Sequence, residues 1–188
     1  MRSSGRGQLR IIAGQWRSRK LAFPDQQTLR PTPDRVRETL FNWLQTDLTG
    51  SICLDLFAGS GSLGFEAASR GAKRVVMDEK NREAASSINQ NRAQLEADMT
   101  EVVNADALTW LSSNQQVFDI VFLDPPYRAD VLSQCCDLLE NGKNLAENAK
   151  IYIEHALGDD VIDIPVGWQC TKSRNAGQVS YKLYSRNQ

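Results

Sequence analysis

From residue 51 onward the chain alternates short apolar runs with stretches of helical spacing, and no other feature constrains the fold as much. Residues 52–56, 74–78, 100–103, 118–123 and 150–154 read as strands, and helical patterns fill the intervals through residue 68, over 82–95, 108–111 and 129–139. Strands that alternate with helices form a parallel sheet covered on both faces, because a parallel crossover needs a helix's length of chain to return. Strands buried on both faces are near-continuously apolar, and residues 118–123 are strongly so, with Asp119 as the one exception.

The two ends depart from this pattern. Residues 168–173 and 179–184 read as strands joined by a tight turn at Asn175-Ala176-Gly177, so an antiparallel hairpin is expected to close the sheet. At the other end a Gly-rich, disordered start is expected, then a hairpin of residues 9–12 and 20–23 around Gly14 and Trp16. Thr32 is expected to cap a helix with Pro33 at its first position, and Val36, Leu40, Phe41, Trp43 and Leu44 give that helix an apolar stripe. The predicted architecture is α/β: a seven-stranded, mostly parallel sheet with an antiparallel C-terminal hairpin and a small N-terminal β-hairpin extension. Residues 1–31 are assigned to a basic extension and 32–188 to the main domain.

Charge separates the same two parts. Residues 1–37 hold nine Lys/Arg and two acids, a balance of +7, while the remainder holds thirteen bases and twenty-one acids, a balance of −8. A basic end on an acidic body suits a polyanion met from one side. No apolar run reaches the roughly 18 residues of a membrane span, and no apolar segment of a secretion signal follows the basic start. The four cysteines lack Cys-x-x-Cys spacing and there is one histidine, His155. Zinc chemistry and a histidine-based triad are therefore poor fits; no metal, reduced thiols, a cytoplasmic location and a monomer are expected.

The first strand runs into Asp55-Leu56-Phe57-Ala58-Gly59-Ser60-Gly61, with Gly64 following. Glycines 59 and 61 let the backbone turn sharply and approach a ligand, and the next helix offers free N–H groups. Read literally this is G-x-G-x-x-G with Glu79 twenty residues on, as in dinucleotide-binding folds. Yet residues 51–69 contain no Lys or Arg, and the Asp55 carboxylate would repel a pyrophosphate while attracting an ammonium. S-adenosylmethionine carries an ammonium and a sulfonium and no phosphate. Asp78 or Glu79, at the end of the second strand, could accept hydrogen bonds from ribose hydroxyls. Asp106, after the third strand, could accept from an adenine amino group beside Ala107, or cap the helix that follows.

Asp124-Pro125-Pro126-Tyr127 directly follows the apolar strand 118–123. Two prolines cannot continue a sheet ladder, so they fix a corner at the carboxyl edge, where open α/β sheets bind ligands. An exocyclic amine is a weak nucleophile because its lone pair is delocalised. The Asp124 carboxylate and the Pro125 carbonyl, by accepting both its N–H bonds, would draw the nitrogen toward tetrahedral geometry, and Tyr127 could stack on a planar substrate.

The order D-x-F-x-G-x-G, an acid after the second strand, A-D-A after the third and D-P-P-Y after the fourth resembles class I methyltransferases acting on exocyclic nitrogens. Arg10-Ile11-Ile12-Ala13-Gly14, Trp16-Arg17, the run from Arg30-Pro31-Thr32 through Arg35-Val36-Arg37 to Asn42, and Ala176-Gly177-Gln178-Val179 are similar to a narrower group, the bacterial ribosomal RNA small-subunit guanine-N2 methyltransferase D family. The resemblance spans residues 9–186. It implies a Rossmann-like class I fold and methyl transfer from S-adenosyl-L-methionine to the N2 of a guanine in 16S ribosomal RNA, either free or in an assembling 30S particle. It implies catalysis at Asp124, Pro125 and Tyr127 and cofactor contacts from Asp55, Phe57, Gly59, Gly61, Asp78, Glu79, Asp106 and Ala107. RNA contacts are expected from Arg10, Arg17, Arg19, Lys20, Arg30, Thr32 and Arg35. An adenine-N6 methyltransferase is the nearest rival. A nicotinamide oxidoreductase would share the Gly-rich turn but leave D-P-P-Y unexplained. A non-enzymatic RNA-binding assembly factor would need no cofactor pocket.

Overall fold

The computed structural model describes residues 6–24, 32–126, 129–158 and 162–187. The chain forms β1 (Arg6–Arg10), β2 (Lys20–Pro24), α1 (Asp34–Trp43), β3 (Ile52–Asp55), α2 (Ser62–Ser69), β4 (Arg74–Asp78), α3 (Arg82–Leu95) and β5 (Thr100–Val103). There follow α4 (Ala107–Ser113), β6 (Phe118–Leu123), α5 (Ala129–Asn141), β7 (Leu145–Ala156), β8 (Trp168–Ala176) and β9 (Val179–Arg186). Strands β3 to β9 make one seven-stranded sheet in the order β5-β4-β3-β6-β7-β9-β8. Its first five strands are parallel and the last two pairings antiparallel. This is the predicted Rossmann-like architecture.

Alternation along each central strand builds two cores. In β6, Ile120 and Phe122 join the buried cluster with Leu40, Phe41, Phe65 and Ile88, while Val121 and Leu123 join Leu111, Cys135, Cys136 and Leu139 on the other face. All four cysteines are free thiols, three of them buried. Among the described residues no helix is long and apolar enough to cross a membrane.

The N-terminal strands pair antiparallel as a separate two-stranded sheet, yet the extension is fused to the body. Leu9, Ile11, Trp16, Leu21 and Phe23 belong to the same buried cluster as α1, α2 and α3. Helix α2 is therefore buried along its whole length, with the sheet on one side and the extension on the other. On the outer side Glu66 accepts from the Ile12 and Ala13 amides (2.8 and 3.0 Å) and from Arg70 Nε (2.7 Å), and Arg37 Nη1 lies 3.6 Å away. Gly14 is required at this join, since a Cβ there would meet the Ser69 carbonyl oxygen at 1.9 Å. Asn91 of α3 pins β2 by accepting from the Ala22 amide and donating to its carbonyl. The Gly-rich start, residues 1–5, and the loop 25–31 lie outside the described residues.

Three local expectations are corrected. Pro33, not Thr32, occupies the cap position of α1, without a side-chain cap, because the Thr32 hydroxyl is used elsewhere. The C-terminal turn is Gly177-Gln178, with Ala176 opposite Val179, since the ladder extends past Asn175. Arg37, counted with the basic end, is 1% exposed and bonded to Asp34 and the Arg10 carbonyl, so it presents no charge to a polyanion.

Candidate active site

Strand order reverses at β3: the chain runs outward through β4 and β5, then returns to place β6 on the other side of β3. Crevices at such switch points, beyond the carboxyl ends of the strands, are where open α/β sheets bind ligands. Here a cavity of about 1250 Å³ is walled by Asp55, Phe57, Gly59, Asp78, Glu79, Asp106, Ala107, Asp124 and Pro125. Thr32, Lys80, Glu154 and His155 also reach it. The residues assigned to cofactor and to catalysis thus converge from four strand ends, across 70 residues of sequence. Gly61 does not line the cavity. It takes a left-handed conformation (φ 77°) that launches α2, and a Cβ there would strike the Phe65 ring. Tyr127 and Arg30 lie outside the described residues.

The cavity wall is acidic and poorly compensated. Asp55, 2% exposed, accepts from the Gly64 amide (2.9 Å), which ties β3 to α2. Burial, and then the charges of Glu79 and Asp78, push its carboxyl up to about 7. Asp78, similarly buried, accepts from the Ala105 amide (3.2 Å) and is likewise pushed to about 7, first by burial and then by Glu79 and Asp106. Glu79 is more accessible; its oxygens accept from the Gly59 amide (2.8 Å) across the Gly-rich turn and from the Asn81 amide (2.6 Å). Asp106 caps α4 through Thr109 and pairs with Lys80 at 3.0 Å, and that Lys80 bond holds its carboxyl below the usual range. Of its two sequence-level readings, the structure displays the cap.

At the corner after β6, Thr32 Oγ1 donates to Asp124 Oδ2 (3.2 Å). Thr32 is buried, so it is part of the cavity wall and not an outer phosphate contact. Desolvation and the neighbouring Glu154 charge raise Asp124 well above an ordinary carboxyl. Glu154, the residue that sequence reasoning missed, accepts from the Tyr152 hydroxyl (2.7 Å) and is itself raised by burial. Its signal was present in the sequence: an acid one residue past the apolar run 151–153, as Asp124 is past 118–123. Nothing local said that those two strands would be neighbours.

The basic residues divide differently. Arg10, Arg17, Arg19, Lys20 and Arg35 are exposed on the extension and the start of α1, with Arg19 reaching the Gln94 carbonyl (3.1 Å).

A parallel sheet with an antiparallel terminal hairpin, a Gly-rich turn after β3 and an Asp-Pro-Pro corner after β6 at the switch point define a class I methyltransferase. The family model described as "Conserved hypothetical protein 95" matches residues 9–185. The chain belongs to that family. It is 46% identical to ribosomal RNA small subunit methyltransferase D of Escherichia coli strain K12, over 97% of this chain and 92% of that protein. It is 45% identical to the Haemophilus influenzae protein of the same name, over 96% and 95%. Among solved structures, an Escherichia coli methyltransferase superposes with a TM-score of 0.91 at 44% identity, covering 96% of this chain and 99% of that one.

Proposed function

We propose that the protein transfers a methyl group from S-adenosylmethionine to the exocyclic N2 of a guanine in small-subunit ribosomal RNA, the base being flipped from its stack into the cavity. The observation that carries this reading is the union, in one cavity, of an acidic wall suited to a cationic cofactor and an Asp-Pro corner suited to an amine. The relatives' names supply the RNA class. The acidic wall fits the cofactor: Asp55 and Asp78 lie at strand ends with no Lys or Arg in residues 51–69 to attract phosphate instead. Bound S-adenosylmethionine would supply an electrophilic methyl group on a sulfonium. Asp55 would face its ammonium. Glu79, opposite Gly59 and accessible, would accept from the ribose hydroxyls, while Asp78 holds the loop after β5.

Asp124 Oδ1 and the Pro125 carbonyl would accept the two amine hydrogens, with Asp124 held in orientation by Thr32. The same Asp124 oxygen, whose proton affinity burial raises, is suited to hold the proton that the amine sheds after transfer. Tyr127 would stack on the base, and Arg10, Arg17, Arg19, Lys20, Arg30 and Arg35 would meet phosphates. Positioning, more than acid–base chemistry, supplies the acceleration. Mass-spectrometric mapping of ribosomal RNA from cells lacking the protein tests the reading. One N2-methylguanosine in the small-subunit RNA should disappear and return with the wild-type chain but not with Asp124→Asn; an unchanged modification map would overturn it.

A further inference from the structure

Glu154 has no part in the chemistry of the Asp-Pro-Pro corner, yet the sheet brings it to that corner. Strands β6 and β7 are parallel with Leu123 opposite Ile153, so the next residue on each, Asp124 and Glu154, emerge side by side at the carboxyl edge. Both line the same cavity. Each is held through one oxygen by a hydroxyl: Thr32 donates to Asp124 Oδ2, and Tyr152 donates to Glu154 Oε2. The second oxygen of each is then the one available to a ligand.

Two neighbouring acceptors of this kind match a pair of neighbouring donors. On the Watson–Crick edge of guanine the N2 amine and the N1–H are adjacent donors, whereas adenine places a lone pair at N1 next to its amine. We propose that Glu154 accepts the N1–H of the target guanine while Asp124 and the Pro125 carbonyl hold the amine, so that the Asp124–Glu154 pair selects guanine over adenine. This rests on the function proposed above. A site built to pair with a substrate N–H rejects an analogue that lacks it, because its own buried polar group is left unpaired. Against adenine, the Glu154 oxygen would face a lone pair.

The test uses the full chain and target RNA carrying guanosine, 2-aminopurine riboside or adenosine at the methylated position, compared by single-turnover kcat/KM. 2-Aminopurine keeps the amine but has a lone pair in place of N1–H. Wild type should prefer guanosine by about 10- to 100-fold, the range for one lost hydrogen bond to a charged group. In Glu154→Gln the amide can donate to that lone pair, so the preference should fall to about threefold or less, with affinity for S-adenosylhomocysteine unchanged. The missing O6 of 2-aminopurine affects every variant alike, so the change in ratio is the readout. Tyr152→Phe keeps the carboxylate but frees it from its hydroxyl, and should erode the preference severalfold; it decides the matter if Glu154→Gln does not fold. A wild-type ratio in Glu154→Gln, or in Tyr152→Phe where that variant stands in, overturns the role of Glu154 while N2-methylguanosine still forms. Formation of N6-methyladenosine from the adenosine RNA as fast as guanosine is methylated overturns the guanine reading itself.

Discussion

Glu66 is a fully buried carboxylate and Asp124 a half-buried one at a cavity wall, and their surroundings are opposite. Glu66, beneath the N-terminal extension, is fully buried, receives two backbone amides and Arg70, and has Arg37 close by. Asp124, at the carboxyl edge, receives one hydroxyl and has another carboxyl, Glu154, beside it. The first is neutralised inside the chain and joins extension to body. The second is left under-compensated, and in the function proposed above the substrate amine supplies its further partners. The structural acid is saturated with donors and the site acid is not.

The largest effect that separates the two is on stability. Glu66→Ala leaves Arg70 without its carboxylate and two amides without an acceptor, and takes one of two nearby carboxylates from buried Arg37, which keeps Asp34. It should cost about 3–5 kcal/mol, as breaking a buried ion pair does. Urea unfolding measures this; a loss below about 1 kcal/mol would dissolve the contrast. Asp124→Asn should behave the other way round. Turnover should fall by about 10²–10³-fold, the range for one preorganised polar group at a reacting centre. Stability should hold or rise, because a poorly compensated carboxylate is gone. Single-turnover methylation and urea unfolding of the same preparation check both halves, and a large loss of stability would move Asp124 into the structural class.

Within the acidic wall, Glu79→Ala should weaken S-adenosylmethionine binding by about 1.5–3 kcal/mol, the range for hydrogen bonds to a charged group. Calorimetry that finds Glu79→Ala silent and Asp78→Ala weakened would transfer the ribose to Asp78. The smallest effect is on pH. Burial holds Asp55 and Asp78 near 7 in the fold against 3.8 when exposed, so the folded state holds their protons more tightly. Their contribution to stability is therefore present below about pH 4 and is lost as pH rises toward 7. A cationic cofactor favours the ionised forms, so its affinity should rise severalfold from pH 6 to pH 7, with proton release. Affinity independent of pH across that window would mean the wall is already ionised.

Much of this was legible in the sequence because it is local. The helical and strand periods of residues 51–156, the apolar strand before Asp124, the glycines after Asp55 and the two prolines are fixed by backbone geometry over a few residues. They were enough to predict the sheet, the edge at which the cavity opens and most of the residues on its wall. What they left open was every choice of partner. Thr32 looked like a helix cap because a hydroxyl before proline has that local use, and its pairing with Asp124 depends on residues 92 apart. Arg37 counted as surface charge until the extension closed over α2.

Glu154 is the clearest case. The order of residues alone places an acid after an apolar run at 124 and again at 154. It takes the packed sheet to make those strands neighbours, parallel, and in the register that sets Asp124 beside Glu154. The physical reason is that side-chain alternation is set by the chain's own backbone, whereas register is set by packing between strands about thirty residues apart, which leaves no periodic trace in either segment.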